Sequence, residues 1–561
     1  MQDQRLLSSF CLWLPLWLCL VLCASCASTV EPSSARLYPG YGGYHRQITT
    51  DSKEAQRWFD QGLQLVYGFN HDEALRSFRQ ATKSDPNCAL AWWGVAYANG
   101  IDVNDGAMSE EDRREAFDAA QEALGHLDGV TQAERAIVEA IAERYTWPAP
   151  DDRVVLDENY ASAMAAVWEQ FPGDADIAAL YAESLMVLQP WDYWTVGGEP
   201  VKRTNEIVAT LESAMLLDSA HPGANHFYIH AVEASSDPAR AVAAADRLID
   251  LVPGSGHLVH MPSHVYINVG RYADAAAANE RAIRADEAYF ALAPAPDFYN
   301  LYYIHNIHFL AFAAMMDGRF EMAMDAARQL EANIPAEFLE QAVTYADGLM
   351  PTTFHVMVRF GRWEDIIAEP EYPEFRKTSR AVRHYARAIA LANLKRCEEA
   401  RGELDALDIL IEELQASEVH WSIGINAAPL VLTIARKMAE GEIYWNEGSA
   451  DAAYGLLREA VAMEDNLVYD EPPGWMQPIR HALGALLLLG GRNVEAEKVY
   501  RFDLEDNPEN AWSLLGLDRT LRAQGRPLDA DLLSERLGEA WARSDVNPGA
   551  SCYCGVTAEL R

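Results

Sequence analysis

The chain is 561 residues long and carries 84 acidic against 45 basic side chains, a formal net charge of −39. Half of it is apolar and 23% is charged, which excludes both compositional disorder and an integral membrane protein. With a pI near 4.7 and no dense basic patch, it is repelled by DNA, RNA and anionic lipid. The partners expected from composition are proteins, cations and neutral molecules, with no nucleic acid.

The first predicted element is an export signal. After Arg5 an apolar run from Phe10 to Cys23 is too short to span a membrane comfortably, and small residues follow it. Its end resembles the lipobox of bacterial lipoproteins, with Ala24 and Ser25 before Cys26 and Cys23 in place of that family's usual Leu. The resemblance implies acylation of Cys26, a place on the periplasmic face of the outer membrane, and membrane contact only through that lipid. The alternative is simple cleavage after Ala27, giving a soluble secreted or periplasmic protein. Residues 1–26 are thus assigned to the signal, and residues 27–50, with their Pro, Gly, Ser and Tyr, to a tether.

Past Ser52 the pattern is helical and repeats. Trp58, Gly62, Ala74, Phe78, Ala81 and Pro86 keep a fixed spacing, and Trp92 follows Trp58 by 34 residues. This resembles the tetratricopeptide repeat, a helix–turn–helix unit in which small residues sit where the helices cross and bulky ones fill the gap to the next unit. Gly270, Tyr272 and Ala275 restart the register, as do Gly318 with Phe320, Gly361 with Trp363, Gly448, Gly491 and Gly525. Alternating β-branched runs are almost absent. The expected fold is therefore an all-α, right-handed solenoid, with degenerate repeats over 51–218, histidine-rich repeats over 219–369 and further repeats over 370–561. Fold alone does not assign a function.

Histidine carries the chemical signal, because no phosphate loop, GxSxG elbow or HExxH zinc motif is present. Eight of the fifteen histidines lie between His221 and His308. His226 and His260 are 34 residues apart, as are His230 and His264, so two successive repeats place imidazoles at the same two positions. The tetratricopeptide register implies that His226, His230, His257, His260, His264, His305, His308 and His355 face one concave groove. Residues three or four apart share a helix face, and successive repeats are neighbours. Neutral imidazoles so arranged suit Zn, Cu or Fe. Pro262, between His260 and His264, and Pro351, before His355, predict kinked or late-starting helices. His257 falls on the turn entering its helix or on the helix itself.

Glu233 is positioned to add a hard ligand or orient an imidazole, with Asn225, Asn268 and Asn306 as polar support. Two aromatic loops, 189–194 and 469–475, read either as lids or as staples for long connections, and Tyr299, Tyr302 and Tyr303 as ligand contacts or core. Cys88, Cys397, Cys552 and Cys554 are too few for a disulfide scaffold. Cys552 and Cys554 could bind a soft metal, pair with Cys88 or Cys397, or stay free.

Two functional readings remain open from the sequence. One is an exported repeat protein with a histidine-lined transition-metal site, extending to a metal-dependent enzyme. The other is a scaffold that holds a protein or peptide segment in the groove without metal.

Overall fold

A computed structural model describes residues 35–293 and 299–555. Cys26 and the signal lie outside the described residues. Paired α-helices follow one another from Lys53 to Ala540, and the exception is a two-stranded antiparallel ribbon, Ser422–Ile423 with Asn426–Ala427. The fold is an all-α solenoid. Among the described residues no helix is long and apolar enough to cross a membrane.

The repeat residues act as their spacing predicts. Helix Lys53–Val66 starts at Ser52, whose side chain accepts from the Ala55 amide, and helix His71–Ser84 starts at Asn70, which caps Glu73. A Cβ at Gly62 or at Gly94 would lie within 2.7 Å of the Phe78 ring, so one aromatic ring fills the crossing of three helices. Near the other end, Tyr500 plays the same part between Gly484 and Gly516. Gly270 needs its lack of a side chain twice: it sits at φ +78°, and a Cβ would lie 2.5 Å from the Pro508 carbonyl oxygen. That contact also shows how the solenoid winds, since the turn at 270 touches the turn at 508.

Two expectations change. Residues 35–50 are not a free tether. Tyr38 is buried, its amide donates to Gln61, and Arg46 ion-pairs with Asp174 and Asp176, strapping this stretch across the first and later repeats. The concave side is also closed rather than open. Phe69, after the first helix, stacks on Phe227 of helix Pro222–Val232 with ring centroids 5.7 Å apart, and the Tyr67 hydroxyl donates to Asp176. Winding the first pair onto the ninth helix turns the groove into an interior.

The cysteine alternatives resolve differently from a long-range bridge. Cys552 and Cys554 pair with each other, while Cys88 and Cys397 are free thiols.

Candidate metal centre

Four helices bring the histidines together. His226 and His230 lie on Pro222–Val232, His257 and His260 on Gly256–His260, His264 on Pro262–Asn268, and His305 on Asn300–Met316. The break predicted at Pro262 separates the second and third of these, while Met261 between them stays in the helical region and His264 stays beside His260. His257 is helical, capped from behind by Ser255.

Six of the eight expected ligands gather in two triads. One ligand atom each of His226, His230 and His257 lie within 4.8 Å of one another, and so do those of His260, His264 and His305. His308 and His355 line the same interior but join neither triad. His226 and His260 are fully buried, and His230, His257 and His264 nearly so.

The hydrogen bonds fix which nitrogen faces inward. His226 Nδ1 stands 2.6 Å from the Tyr67 carbonyl oxygen, which only accepts, so Nδ1 carries the proton and Nε2 a lone pair. That Nε2 lies 3.1 Å from His257 Nε2. His260 Nδ1 stands 2.6 Å from the Asn279 side-chain oxygen, whose amide nitrogen is occupied by the Ala275 carbonyl. Its Nε2 is therefore also a bare lone pair, 2.7 Å from His264 Nε2. His264 directs Nδ1 at Glu233 (2.7 Å) and Glu471 (2.9 Å). Glu233 and Glu471 keep His264 protonated, so its Nε2 donates to His260 Nε2, and His257 can donate from Nε2 to His226 in the same way; a metal ion would take the place of these protons. Metal bonds of about 2.0–2.1 Å set two nitrogens on one ion roughly 3 Å apart, close to both observed separations.

Electrostatics keep most of these rings neutral. Burial, reinforced by neighbouring imidazoles, holds His226, His257, His260 and His305 well below the usual histidine range. His264 departs from this: although burial opposes its charge, Glu233 and Glu471 push its pKa upward. Glu233 joins the triads, accepting from His230 Nδ1 at 3.0 Å and from His264 Nδ1. Burial opposes its charge, but His264 and His230 overcome this and hold the carboxylate low. Carboxylate–imidazole pairs of this kind orient metal-binding rings and raise their basicity. His230 Nε2 and His257 Nδ1 have no hydrogen-bond partner although buried. Buried polar atoms are rarely left so.

Sequence reasoning missed three supports: Asn279, the Tyr67 carbonyl and Glu471. Asn279 lies on the partner helix of the His260 unit, and Tyr67 and Glu471 lie far along the chain. No local spacing marks any of them. Of the three asparagines singled out, Asn268 does support the site, donating to the Glu233 backbone carbonyl and to the Tyr469 hydroxyl, whereas Asn225 bonds the Ser219 and His221 carbonyls and Asn306 bonds Asp286.

The aromatic loops cover the interior and also staple it. Trp191, at φ +62°, meets His230 edge-on at 5.2 Å, while Trp194 donates to the Ala231 carbonyl. Glu471 reaches His264, and Trp475 packs against His355 at 5.1 Å. Tyr302 lies 4.4 Å from His257, ring to ring. Between these loops and the triads is a cavity of about 550 Å³.

No protein-family model matches the chain, and no curated protein matches it in sequence. Among solved structures, the human IFIT1 dimer with m7Gppp-AAAA is similar at 12% identity, over 88% of this chain and 91% of its own, with a TM-score of 0.32. The APC/C hetero-tetramer Cut9–Hcn1 is similar at 11% identity, over 89% of this chain and 79% of its own, with a TM-score of 0.30. Likeness at that level transfers no site or partner. The class of protein is set by the chain itself: an all-α solenoid whose interior is lined by histidine.

Proposed function

We propose that this chain is an exported metalloprotein that holds two transition-metal ions, one in each histidine triad, with Glu233 linking the two. Zn, Cu and Fe all suit neutral imidazole nitrogen. The observation that carries the reading is the gathering of six imidazoles into two triads, in each of which three ligand atoms lie within 4.8 Å of one another. The closed interior favours ions and small molecules over a peptide segment laid in a groove. Export, and attachment through Cys26, belong to the same proposal and are supported by the apolar run and small residues at the start of the chain.

Elemental analysis of the full chain, purified without an affinity tag, is the direct test. Two ions per chain are expected, together with a rise in melting temperature on metal addition, because metal binds the folded form. A chain free of metal that shows no thermal shift with zinc, copper or iron would falsify it. Labelled palmitate should enter the wild type and not Cys26→Ser.

A further inference from the structure

The cysteine pair near the end of the chain takes no part in the histidine centre. Cys552 and Cys554 are joined to each other, with Cα atoms 5.2 Å apart. Their segment is pinned by other residues. Ser551 stands 2.6 Å from the Tyr500 hydroxyl and donates to the His481 carbonyl. Tyr553 seats against Gly361, where a Cβ would lie 2.8 Å from it. Breaking the sulfur–sulfur bond therefore keeps both cysteines at the same place in the fold.

A buried carboxylate stands beside them. Glu442, on helix Ala428–Asn446, is 1% exposed, and one ligand atom each of Glu442, Cys552 and Cys554 lie within 4.8 Å of one another. Its Oε2 accepts from the Asn393 amide at 2.8 Å, while Oε1 is buried with no partner. A disulfide has no proton to give that oxygen; a cation shared with two thiolates would satisfy it. Arg359 lies in the wall of the same small void, about 10 Å³, as Cys552 and Glu442. Its Nη1 contacts His481, and its Nε and Nη2 have no partner. Burial pushes this guanidinium down to about 10, which leaves it charged at neutral pH. A fixed positive charge beside a thiol favours the thiolate.

The donors select the ion. Thiolate sulfur and carboxylate oxygen together suit zinc, at about 2.3 Å and about 2.0–2.2 Å. Three anionic donors, a divalent ion and Arg359 leave the loaded site without net charge.

We propose that the reduced chain binds one zinc ion through Cys552, Cys554 and Glu442, and that closing the disulfide expels it. Cys552 is partly exposed, which opens the pair to a dithiol reductant. One reductant thiolate attacks the Cys552 sulfur and breaks its bond to Cys554. The second reductant thiol then resolves the mixed disulfide. The reductant leaves as its own disulfide, and each cysteine has gained one electron and one proton. Zinc displaces both thiol protons and the proton that burial keeps on Glu442, forming two Zn–S bonds and one Zn–O bond. Exchange with an oxidised dithiol runs the steps backward. The site is independent of the triads, and the oxidised chain holds only their ions.

Cobalt(II) is the probe, because a thiolate-to-cobalt charge-transfer band in the near ultraviolet reports sulfur ligands and not imidazole. The full chain is titrated oxidised and after phosphine reduction. The reduced chain should develop the band, saturating at one ion, and zinc should abolish it; the oxidised chain should show none. Elemental analysis should find one more zinc per chain after reduction. Cys552→Ser and Cys554→Ser should each remove the band, whereas Cys88→Ser and Cys397→Ser should keep it. Glu442→Gln retains both thiols and should weaken cobalt binding by about tenfold or more. Circular dichroism of every variant should match the wild type. A reduced chain without the band, a band that survives either Cys552→Ser or Cys554→Ser, or wild-type affinity in Glu442→Gln would overturn the proposal. The triads give no such band, so their failure and the failure of this site are read separately.

Discussion

His481 and His260 are both buried imidazoles on short solenoid helices, and they differ in what their nitrogens face. His481 is satisfied on both sides. Its Nδ1 accepts from Arg359 at 2.9 Å, and its Nε2 donates to Asp503 at 2.8 Å, an oxygen that Ser513 and Asn510 also reach. His260 is satisfied on one side by Asn279 and on the other meets a second imidazole. The same repeat thus ties a histidine between an arginine and an aspartate near its C-terminal end and gathers imidazoles against one another at its centre. Burial alone does not separate a structural histidine from a ligand; the partner of the second nitrogen does.

The sharpest way to break this comparison is to remove the central pair. Replacing His260 and His264 together by Ala should eliminate the ion of that triad, and most of the metal-dependent rise in melting temperature with it. His126→Ala and His384→Ala are the controls. His126 ends helix Glu110–Gly125 on the partly exposed surface, and His384 pairs with Glu403 at 2.7 Å, both apart from the triads. Inductively coupled plasma analysis reads all four chains. A double variant with full metal content would end the metal assignment.

A smaller effect is expected at the link between the triads. Glu233→Gln keeps the shape but removes the charge that aligns His230 and His264. Orienting carboxylates of this kind are worth about 10–100-fold in metal affinity. Competition with a chromophoric chelator measures this, and an unchanged affinity would reduce Glu233 to a packing residue.

His481 should answer the other way. His481→Ala leaves Asp503 and Arg359 buried with a partner missing, which costs about 2–4 kcal/mol. Urea denaturation should show the loss while metal content stays at the wild-type value. A variant that sheds metal without losing stability would merge the two classes of histidine.

Much of the fold was legible because its rules are local. Gly62 against Phe78, and Gly484 against Tyr500, follow from one spacing of sixteen residues within a helix pair. The 34-residue spacing also located the ligand helices. What remained illegible depends on winding. Nothing near residue 264 announces that the loop carrying Glu471 closes over it, or that the Tyr67 carbonyl, from the first repeat, receives the His226 proton. The groove register placed His308 and His355 with the other six, yet neither joins a triad. Residues 35–50 have a tether's composition, but Arg46 finds two carboxylates more than a hundred residues away.

Two buried glutamates extend the comparison to carboxylates, with the smallest expected effect. Glu233 has an imidazole on each oxygen, whereas Glu442 accepts from Asn393 on one and leaves the other without a partner. Burial therefore pushes Glu442 up to about 8, with the Asn393 contact opposing only weakly. The unfolded chain releases that proton near pH 4.3. Because the folded value is raised, the contribution of Glu442 to stability is fully present below about pH 4.3. It declines as pH rises and is gone once pH passes about 8, where the folded group ionises too. Glu442→Gln is neutral at every pH and has no such slope. Its melting temperature should match the wild type near pH 4 and exceed it by a few degrees at pH 8, with metal content unchanged. Equal melting temperatures at both pH values would show that Glu442 stays charged in the fold, and the contrast with Glu233 would disappear.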